Sequence, residues 1–236
     1  MTGTLTNKAG VSMIVPIFNE AKNLPQFIKQ LFDALESRCY EIIFVDGGSQ
    51  DKSCSIVLSF EHCILIRSEK GRAKQLNAGA KKAQYPLLYF IHVDCIPPTG
   101  FDQIILSHYK NGEKAGSFQL QFDFDHFALN WAALATKYNS RFCRSGDQSL
   151  FIEKELFEQL NGFNEDYAIC EDVELTDRLY RLNHFTVLPE KIITSARRFK
   201  ANGVLRLQFH HGCIHLMRYL GIKPYWLYQY YSRFVK

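Results

Sequence analysis

The sequence lacks several features that mark other classes of protein. It has no CxxC pair, and its seven cysteines are scattered and odd in number, so reduced thiols in a cytoplasmic setting are expected rather than a disulfide scaffold or zinc knuckle. No uncharged apolar run approaches the roughly 18–20 residues that span a bilayer, and the first eight residues lack the apolar segment of a signal peptide. The GxGxxG fingerprint is also absent, which argues against dinucleotide-dependent hydride transfer.

Acidic residues are missing from the last part of the chain. None follows Glu190, whereas nine lysines and arginines lie in residues 191–236. The other 19 basic residues and all 24 acidic ones fall within residues 1–190, a net charge of −5, although the whole chain carries +4. This polarity indicates an anionic partner at the C-terminal end, either phosphate groups or a membrane surface.

Apolar strands alternate with helical patterns over the first part of the chain. The predicted strands cover residues 11–16, 40–45, 63–67 and 87–93, and the predicted helices start near residues 24, 51 and 71. This alternation predicts right-handed βαβ units and a mostly parallel central sheet flanked by helices. Ligands of such folds bind at the carboxyl edge of the sheet, which would gather residues 16–20, 46–51, 68–72 and 92–98.

The pattern is looser after residue 101. Strands are predicted at 116–124 and 148–152, and helices at 127–142 and 171–182. No domain boundary is visible before about residue 200. The chain is therefore expected to form one α/β domain over residues 10–200, followed by a helical extension over residues 201–236 that is basic and aromatic.

Several polar segments follow the predicted strands or begin the predicted helices, and each has an ordinary structural explanation beside a functional one. Asp94 ends an apolar run and is either a metal ligand or a turn residue. Residues 46–51 form a glycine-rich loop for close ligand approach, or a simple capped turn. Residues 70–79 carry cations at a helix start, which suits a diphosphate or a solvated basic face. Residues 145–148 line an acceptor pocket or only turn the chain.

Residues 171–174 place three carboxylates within four positions at a predicted helix start. Acids are favoured at a helix N-terminus, so simple capping is one explanation. Adjacent carboxylates also raise one pKa, and a raised pKa suits a general base. The segment is thus a candidate catalytic site.

The order of these motifs is more specific than any one of them. Pro16-Ile17-Phe18-Asn19-Glu20, the "GGS-D" turn at 47–51, the "GRA-Q-NAGA" helix start at 71–80, His92-Val93-Asp94, Gly146-Asp147-Gln148 and Glu171-Asp172 together resemble the family 2 glycosyltransferases of the GT-A fold. A downstream "TSARR" segment at 194–198 points to a bacterial branch of that family. The resemblance covers roughly residues 11–200.

The resemblance implies a role for each candidate residue. The nucleotide-sugar donor would be bound by Pro16, Phe18, Glu20, Asp46, Gly48, Arg72, Gln75 and Val93. Asp94 would ligate a divalent cation, Mg²⁺ or Mn²⁺, at the donor diphosphate. Asp172 would be the general base with Glu171 beside it, and Asp147 and Gln148 would contact the sugar or the acceptor. One base without a carboxylate nucleophile implies a single displacement with inversion.

The metal motif departs from the pattern that is common in the family. Asp-x-Asp is usual there, whereas this chain has His92-Val93-Asp94. His92 is therefore either a second ligand, which Mn²⁺ tolerates better than Mg²⁺, or a neighbour that only donates or accepts a hydrogen bond. Two other functions stay open: a nucleotidyltransferase, and a non-catalytic protein that binds nucleotide sugars.

The extension and the partners complete the set of expectations. Short basic and aromatic helices after residue 203 are typical of an interfacial membrane anchor, but they also suit packing on the domain or a dimer interface. The acceptor is not identified, and a lipid-linked acceptor is one alternative. No nucleic-acid partner is expected. The protein is expected in the cytoplasm, with peripheral contact to the inner face of the membrane and oligomer formation left open.

Overall fold

The structure, a computed structural model, describes residues 9–235. Within them, the strands are β1 Val11–Ile17, β2 Tyr40–Asp46, β3 Cys63–Arg67, β4 Leu87–Phe90, β5 Cys95–Ile96, β6 Ala115–Phe122, β7 Leu150–Glu153 and β8 Thr186–Thr194. The helices are α1 Leu24–Asp33, α2 Ser53–Leu58, α3 Arg72–Lys82, α4 Phe101–Lys110, α5 Phe127–Ala135, α6 Lys154–Gln159, α7 Glu171–Arg181, α8 Arg197–Asn202, α9 Val204–Tyr219 and α10 Pro224–Phe234. Two short 3₁₀ turns lie at Arg141–Cys143 and Gly146–Gln148.

All of these strands belong to one sheet, in the order β3-β2-β1-β4-β7-β6-β8-β5. The strands β3, β2, β1 and β4 are parallel, which confirms the prediction for the first part of the chain. The other half is mixed: β7 is antiparallel to both β4 and β6, β8 is parallel to β6, and β5 is antiparallel to β8. Strands β6 and β8 therefore run in the same direction as the first four, and among the described strands only β7 and β5 run in the opposite direction.

The sheet is covered on both faces, as expected where βαβ crossovers place helices on each side. Alternate residues of β1 separate into two hydrophobic clusters. Met13 and Val15 belong to the cluster that includes residues of α1 and α4, whereas Ile14 belongs to the cluster that includes residues of α3, α6 and α7. A Cβ at Gly79 would overlap Ile14, so glycine lets α3 lie close to the sheet and fixes the position of the helix N-terminus.

The predicted strand 87–93 is shorter in the structure. β4 ends at Phe90, and the Cys95 N–H donates to the His92 carbonyl at 3.1 Å to close a turn. Past Ile14, β1 has no further register partner in β4, so the chain is free to turn there. Asp94 consequently lies in a turn between two strands rather than at a strand end.

The predicted helix 127–142 is also shorter, because α5 ends at Ala135. The Thr136 hydroxyl donates to the Ala133 carbonyl at 2.6 Å and accepts the Leu120 N–H at 2.9 Å. The buried Arg144 guanidinium donates to the carbonyls of Thr136 and Tyr138. These bonds use the groups that a longer helix would need for its own hydrogen bonds.

The extension packs against the rest of the chain. Val204, Leu207 and Ile214 of α9 form a third hydrophobic cluster with Leu129 of α5 and with Phe199. Val235 joins the same cluster. Among residues 9–235, no helix combines the length and the apolar character that crossing a membrane requires.

Candidate functional site

A cavity of about 820 Å³ opens where the first four strands end. Ten of the site residues predicted from the sequence line it: Pro16, Phe18, Glu20, Arg72, Gln75, His92, Val93, Asp94, Asp147 and Asp172. These residues come from five separate segments of the chain. The structure therefore places these ten residues around one cavity. The role of each residue stays a prediction.

The other four predicted residues are not among those that line the cavity. Asp46 is buried, and its carboxylate accepts the N–H groups of Gly48 at 3.1 Å and of Ser49 at 3.0 Å. Gln148 is fully buried, and its Oε1 accepts the Ser145 N–H at 2.9 Å. Glu171 is fully buried behind Arg72. Gly48 lies in the turn that Asp46 closes.

Two loops are tied together at one end of the cavity. The N–H groups of Asn19 and Glu20 donate to the hydroxyls of Ser49 and Ser53 at 2.9 and 2.8 Å. Burial acts to raise the pKa of Asp46, but hydrogen bonds, chiefly from Ser49, outweigh it and lower that pKa. The ionised carboxylate thus holds the glycine turn, and the turn in turn holds the loop after β1.

Cations stand at the start of α3. Arg72 is the first residue of the helix, half of its side chain is exposed, and its Nη1 lies 3.5 Å from Glu171 Oε1. Lys70 Nζ lies 4.1 Å from the ring centre of Phe18. Gln75 Nε2 donates to the carbonyls of Ile17 at 2.9 Å and Val45 at 2.7 Å, which fixes the helix against the ends of β1 and β2. A helix N-terminus with two cations is suited to an anion.

Carboxylates stand at the start of α7. Glu171 and Asp172 are the first two residues of this helix, and Cys170 before them has a left-handed φ of 61°. Burial raises the pKa of Glu171 to about 7, with Arg72 opposing the rise and Asp172 adding to it. Neither Glu171 oxygen has a hydrogen-bond partner among the described residues, so its ion pair with Arg72 carries the interaction.

Gly146 lets its turn lie close to the side chains of Asp172 and His92. A methyl group on it would overlap the Asp172 carboxylate and lie 3.4 Å from His92 Nε2. The 3₁₀ turn that starts at Gly146 therefore passes directly over both side chains and carries Asp147 into the cavity. A larger residue would displace Asp172.

The side chains around Asp94 limit how a divalent cation could be bound. Burial, and then Asp94, raise the pKa of Asp147 to about 6. Burial, and then Arg72, lower the pKa of His92 to about 3, so the imidazole is neutral and has a free lone pair. Among residues 9–235 no three ligating side chains converge on one point. A cation would thus take one or two protein ligands and the rest from diphosphate and water, as Mg²⁺ commonly does.

Arg197 is a site residue to which the sequence gave no role. Its Nη2 lies 3.6 Å from Asp94 Oδ2 and 3.5 Å from Glu20 Oε1. Cys95 pairs with Thr194 between β5 and β8, and the Ser195 N–H donates to the Asp94 carbonyl at 3.0 Å. This antiparallel pairing positions residues 195–198 beside Asp94. The "TSARR" segment was the only signal for it.

The cavity has two sides of different character. The charged side contains the predicted residues named above. The tail side, which the sequence did not predict, contains Phe199, Leu207, His211, Ile214, His215, Tyr228 and Tyr231. Burial, and then Arg198, lower the pKa of His211 to about 4, and burial also lowers the pKa of His215. Both imidazoles therefore favour the neutral form. Arg198 brings a positive charge to this side, and its Nη2 donates to the Tyr231 hydroxyl at 2.7 Å.

The two sides are suited to different parts of one reaction. The charged side offers cations and helix N–H groups for an anionic leaving group, and the carboxylate of Asp172 lines the same cavity. The tail side offers apolar area with a few hydroxyl and imidazole groups, which suits a neutral or amphiphilic molecule. The arrangement fits transfer of a group from an anionic donor to a second substrate.

Comparison with known proteins agrees with this arrangement. A family model described as "Glycosyl transferase family 2" matches residues 12–160. The chain is 33% identical over 104 residues to glycosyltransferase AglE of Haloferax volcanii, a match that covers 41% of this chain and 33% of AglE. It is 23% identical over 208 residues to the probable glycosyltransferase YdaM of Bacillus subtilis, covering 77% of this chain and 49% of YdaM. The chain thus spans between about a third and a half of the length of these curated relatives.

Solved structures show the same fold. A mannosyltransferase of Pyrobaculum calidifontis, PcManGT, in complex with GDP-Man and Mn²⁺, superposes with a TM-score of 0.69 at 18% identity, covering 91% of this chain and 65% of that one. TarS residues 1–349 of S. aureus, in complex with UDP-GlcNAc, superposes with a TM-score of 0.68 at 18% identity, covering 79% of this chain and 58% of that one. The fold is the GT-A fold, here with a mixed central sheet.

Proposed function

Since the chain belongs to glycosyl transferase family 2, we propose that it transfers a sugar from a nucleotide-diphosphate donor to an acceptor hydroxyl, with inversion at the anomeric carbon. Residues 10–200 form the transferase domain, and residues 201–236 form an extension that completes the tail side of the cavity. The observation that carries the proposal is that Asp172 lines the same cavity as Arg72 of α3 and lies beside the turn that bears Asp147.

The donor lies on the charged side in this proposal. The two joined loops, with Pro16, Phe18, Glu20, Asp46 and Gly48, hold the nucleoside. Arg72 meets the diphosphate together with the free N–H groups at the start of α3, because a helix N-terminus and a guanidinium both favour phosphate oxygens. Gln75 and Val93 form the floor between the loops, and Asp147 contacts the sugar. Gln148 acts indirectly, by closing the turn that carries Asp147.

Asp94 is the proposed ligand of a divalent cation, Mg²⁺ or Mn²⁺, with His92 as a nitrogen ligand or neighbour. A cation bound there neutralises negative charge on the leaving diphosphate. Arg197 now balances the charge of Asp94 at 3.6 Å, which supports the idea that this carboxylate needs a cation beside it. A neutral His92 adds no positive charge that would repel the metal.

Asp172 is the proposed general base. It accepts the proton of the acceptor hydroxyl while that oxygen forms a bond to the anomeric carbon, and the bond from this carbon to the diphosphate oxygen breaks on the opposite face. The electron pair leaves with the nucleoside diphosphate. Glu171 supports the reaction from behind by holding Arg72 at 3.5 Å.

A donor screen followed by one substitution tests this function. Thermal shifts with UDP-, GDP- and TDP-sugars in Mn²⁺ identify the donor, and release of nucleoside diphosphate then measures turnover. Asp172→Asn is expected to lower turnover by roughly 10²–10⁴-fold, the usual contribution of general acid–base catalysis, while the affinity for nucleoside diphosphate stays within about threefold.

Asp166→Asn is the matched control, since Asp166 is an exposed acid in the loop before α7. It should leave turnover unchanged. Unaltered turnover in Asp172→Asn would show that Asp172 is not the base. Release of sugar 1-phosphate in place of nucleoside diphosphate would identify attack at phosphorus, and so a nucleotidyltransferase. Donor binding without turnover under any condition would identify a binding protein.

A further inference from the structure

Exposed large apolar side chains are concentrated on two segments of the chain. Among the described residues, all but Phe18, Leu58 and Leu182 fall within 127–142 or 205–234. They are Phe127, Trp131, Leu134, Tyr138, Phe142, Leu205, Phe209, Leu216, Tyr219, Leu220, Ile222, Tyr225, Trp226, Tyr228 and Phe234. A concentration of this size on one part of a protein marks an interaction surface rather than ordinary exposure.

Each segment presents its apolar residues as a stripe at helical spacing. On α5 and the turn after it, the stripe runs through Phe127, Trp131, Leu134 and Tyr138, and on α9 it runs through Leu205, Phe209, Leu216 and Tyr219. The other side of α9 is in the hydrophobic cluster with Leu129 of α5. Both helices are therefore anchored on one side and unpartnered on the other.

The two stripes meet at a direct contact. The rings of Phe142 and Tyr219 lie 5.6 Å apart, and the Arg141 guanidinium lies 4.8 Å from the first ring centre and 5.7 Å from the second. Together the exposed residues of 127–142 and 205–234 form one surface, here called the aromatic face. Five of its 15 apolar residues come from the internal segment 127–142, and the other ten come from the extension.

The charge of the aromatic face has one sign. Residues 126–146 contain no aspartate or glutamate, and neither do residues 191–236. Lys137, Arg141, Arg206, Lys223 and Arg233 lie in these segments, and none of them forms an ion pair within residues 9–235. Lys137 lies 5.0 Å from the Tyr138 ring centre and Arg233 lies 5.4 Å from that of Phe234. Rings beside unpaired cations suit a layer with apolar chains below anionic groups.

We propose that the aromatic face binds the surface of a bilayer that contains anionic lipids, and that α5 contributes to this surface together with α9 and α10. An interface with a second protein normally has an apolar centre surrounded by a polar rim. Here apolar rings and unpaired cations are interleaved, and an anionic bilayer complements both of them. Binding to the membrane does not depend on the proposed function, but its benefit to the protein does. Leu207, Ile214 and Tyr228 of the same helices line the cavity, so the membrane would lie beside the acceptor side.

Vesicle co-sedimentation of the full chain tests the proposal. Vesicles of phosphatidylcholine alone are compared with vesicles that contain about 30% phosphatidylglycerol, because anionic lipid attracts each nearby Lys or Arg by about 1 kcal/mol. Wild-type protein should bind the anionic vesicles and bind the neutral ones at least about tenfold more weakly. Phe127→Ser combined with Trp131→Ser should weaken binding to anionic vesicles by about tenfold or more.

The matched control is Leu58→Ser combined with Leu182→Ser. Leu58 and Leu182 are 68% and 48% exposed, and Phe127 and Trp131 are 64% and 71% exposed. Both pairs thus remove exposed apolar groups, but only one pair is on the aromatic face. The control should bind as wild type does. Phe209→Ser combined with Leu216→Ser should weaken binding as much as the α5 pair does.

Several results would overturn the proposal. They are absence of vesicle binding by wild type, equal weakening by the control pair, or loss of binding with the α9 pair but not with the α5 pair. Dimerisation at micromolar concentration that the α5 pair abolishes, without vesicle binding, would assign the face to a second copy instead. Titration of the same proteins with nucleoside diphosphate and Mn²⁺ keeps this test separate from the proposed function, because that binding should be unaffected by every variant here.

Discussion

The two sides of the cavity are built in different ways. On the charged side, most residues stand directly after a strand or in the first turn of a helix. The order of strands and helices along the chain is therefore enough to place them at the edge of the sheet. On the tail side, α9 and α10 contribute residues that are more than 100 positions away from the first loops. The backbone of the sheet positions the charged groups that follow the strands. The tail side, in contrast, forms only when the extension packs on Leu129 and Phe199.

The way in which each side is built indicates which ligand it is suited to bind. Backbone N–H groups and helix N-termini are fixed by the sheet, and they are suited to a diphosphate that is common to all donors. A wall made by a packed extension is free to differ between proteins, and it is suited to the acceptor. A change on the charged side should therefore alter nucleotide binding, and a change on the tail side should leave it nearly unaffected.

The largest effect is expected from Asp94→Ala. It removes the proposed metal ligand and leaves Arg197 without one of its two partners, so turnover should fall by roughly 10²-fold or more. Nucleoside diphosphate binding should lose its dependence on Mn²⁺, which calorimetric titration with and without the metal measures. Asp33→Ala, at the exposed end of α1, should change neither quantity. Retained metal dependence in Asp94→Ala would contradict the assignment.

A smaller effect separates the two sides directly. Arg72→Ala should weaken nucleoside diphosphate binding by about 10–100-fold, since a hydrogen bond to a charged group contributes about 1.5–3 kcal/mol. Tyr228→Ala, on the tail side, should change that affinity less than about twofold. Calorimetric titration of both variants with the same nucleotide makes the comparison. Equal weakening by both would mean that the cavity is not divided between donor and acceptor.

The smallest effect concerns the pH dependence of stability. The pKa of Glu171 rises from an ordinary 4.5 to about 7, chiefly through burial, so the folded state binds a proton more tightly than the unfolded state. This contribution is fully present below pH 4.5 and is lost as pH rises through about 7. Glu171→Gln should therefore reduce the loss of stability over that range by on the order of 1–3 kcal/mol.

Thermal unfolding at a series of pH values measures this effect. Glu61→Gln is the control, because Glu61 is exposed after α2, and its profile should follow that of the wild type. An identical profile for Glu171→Gln would show that the buried carboxyl does not titrate in this range.

The charged side could be predicted from the sequence because its signals are local. Alternation of apolar strands and helices locates β1, β2 and α3, and polar residues such as Glu20 and Arg72 stand directly after a strand or at a helix start, where the sequence pattern places them. The fold of residues 11–90 was predicted for the same reason. The order of motifs then identified Asp172 as a candidate, although α7 lies far along the chain from β1.

The rest could not be predicted because it depends on long-range pairing. Arg197 reaches Asp94 only through the antiparallel pairing of Cys95 with Thr194, and a strand of two residues gives no periodic signal. The end of α5 depends on Arg144, which donates to carbonyls six and eight positions before it. The join between the aromatic stripes depends likewise on one contact between Phe142 and Tyr219.

The central claim is that one carboxylate, Asp172, drives a single displacement on a donor held by the charged side. Proton NMR of the reaction with the donor found in the screen tests it most directly, because the coupling of the anomeric proton distinguishes the two configurations of the first product. The product is expected to have the configuration opposite to that of the donor, both in the wild type and in the residual activity of Asp172→Asn. A first product with the configuration of the donor would contradict it.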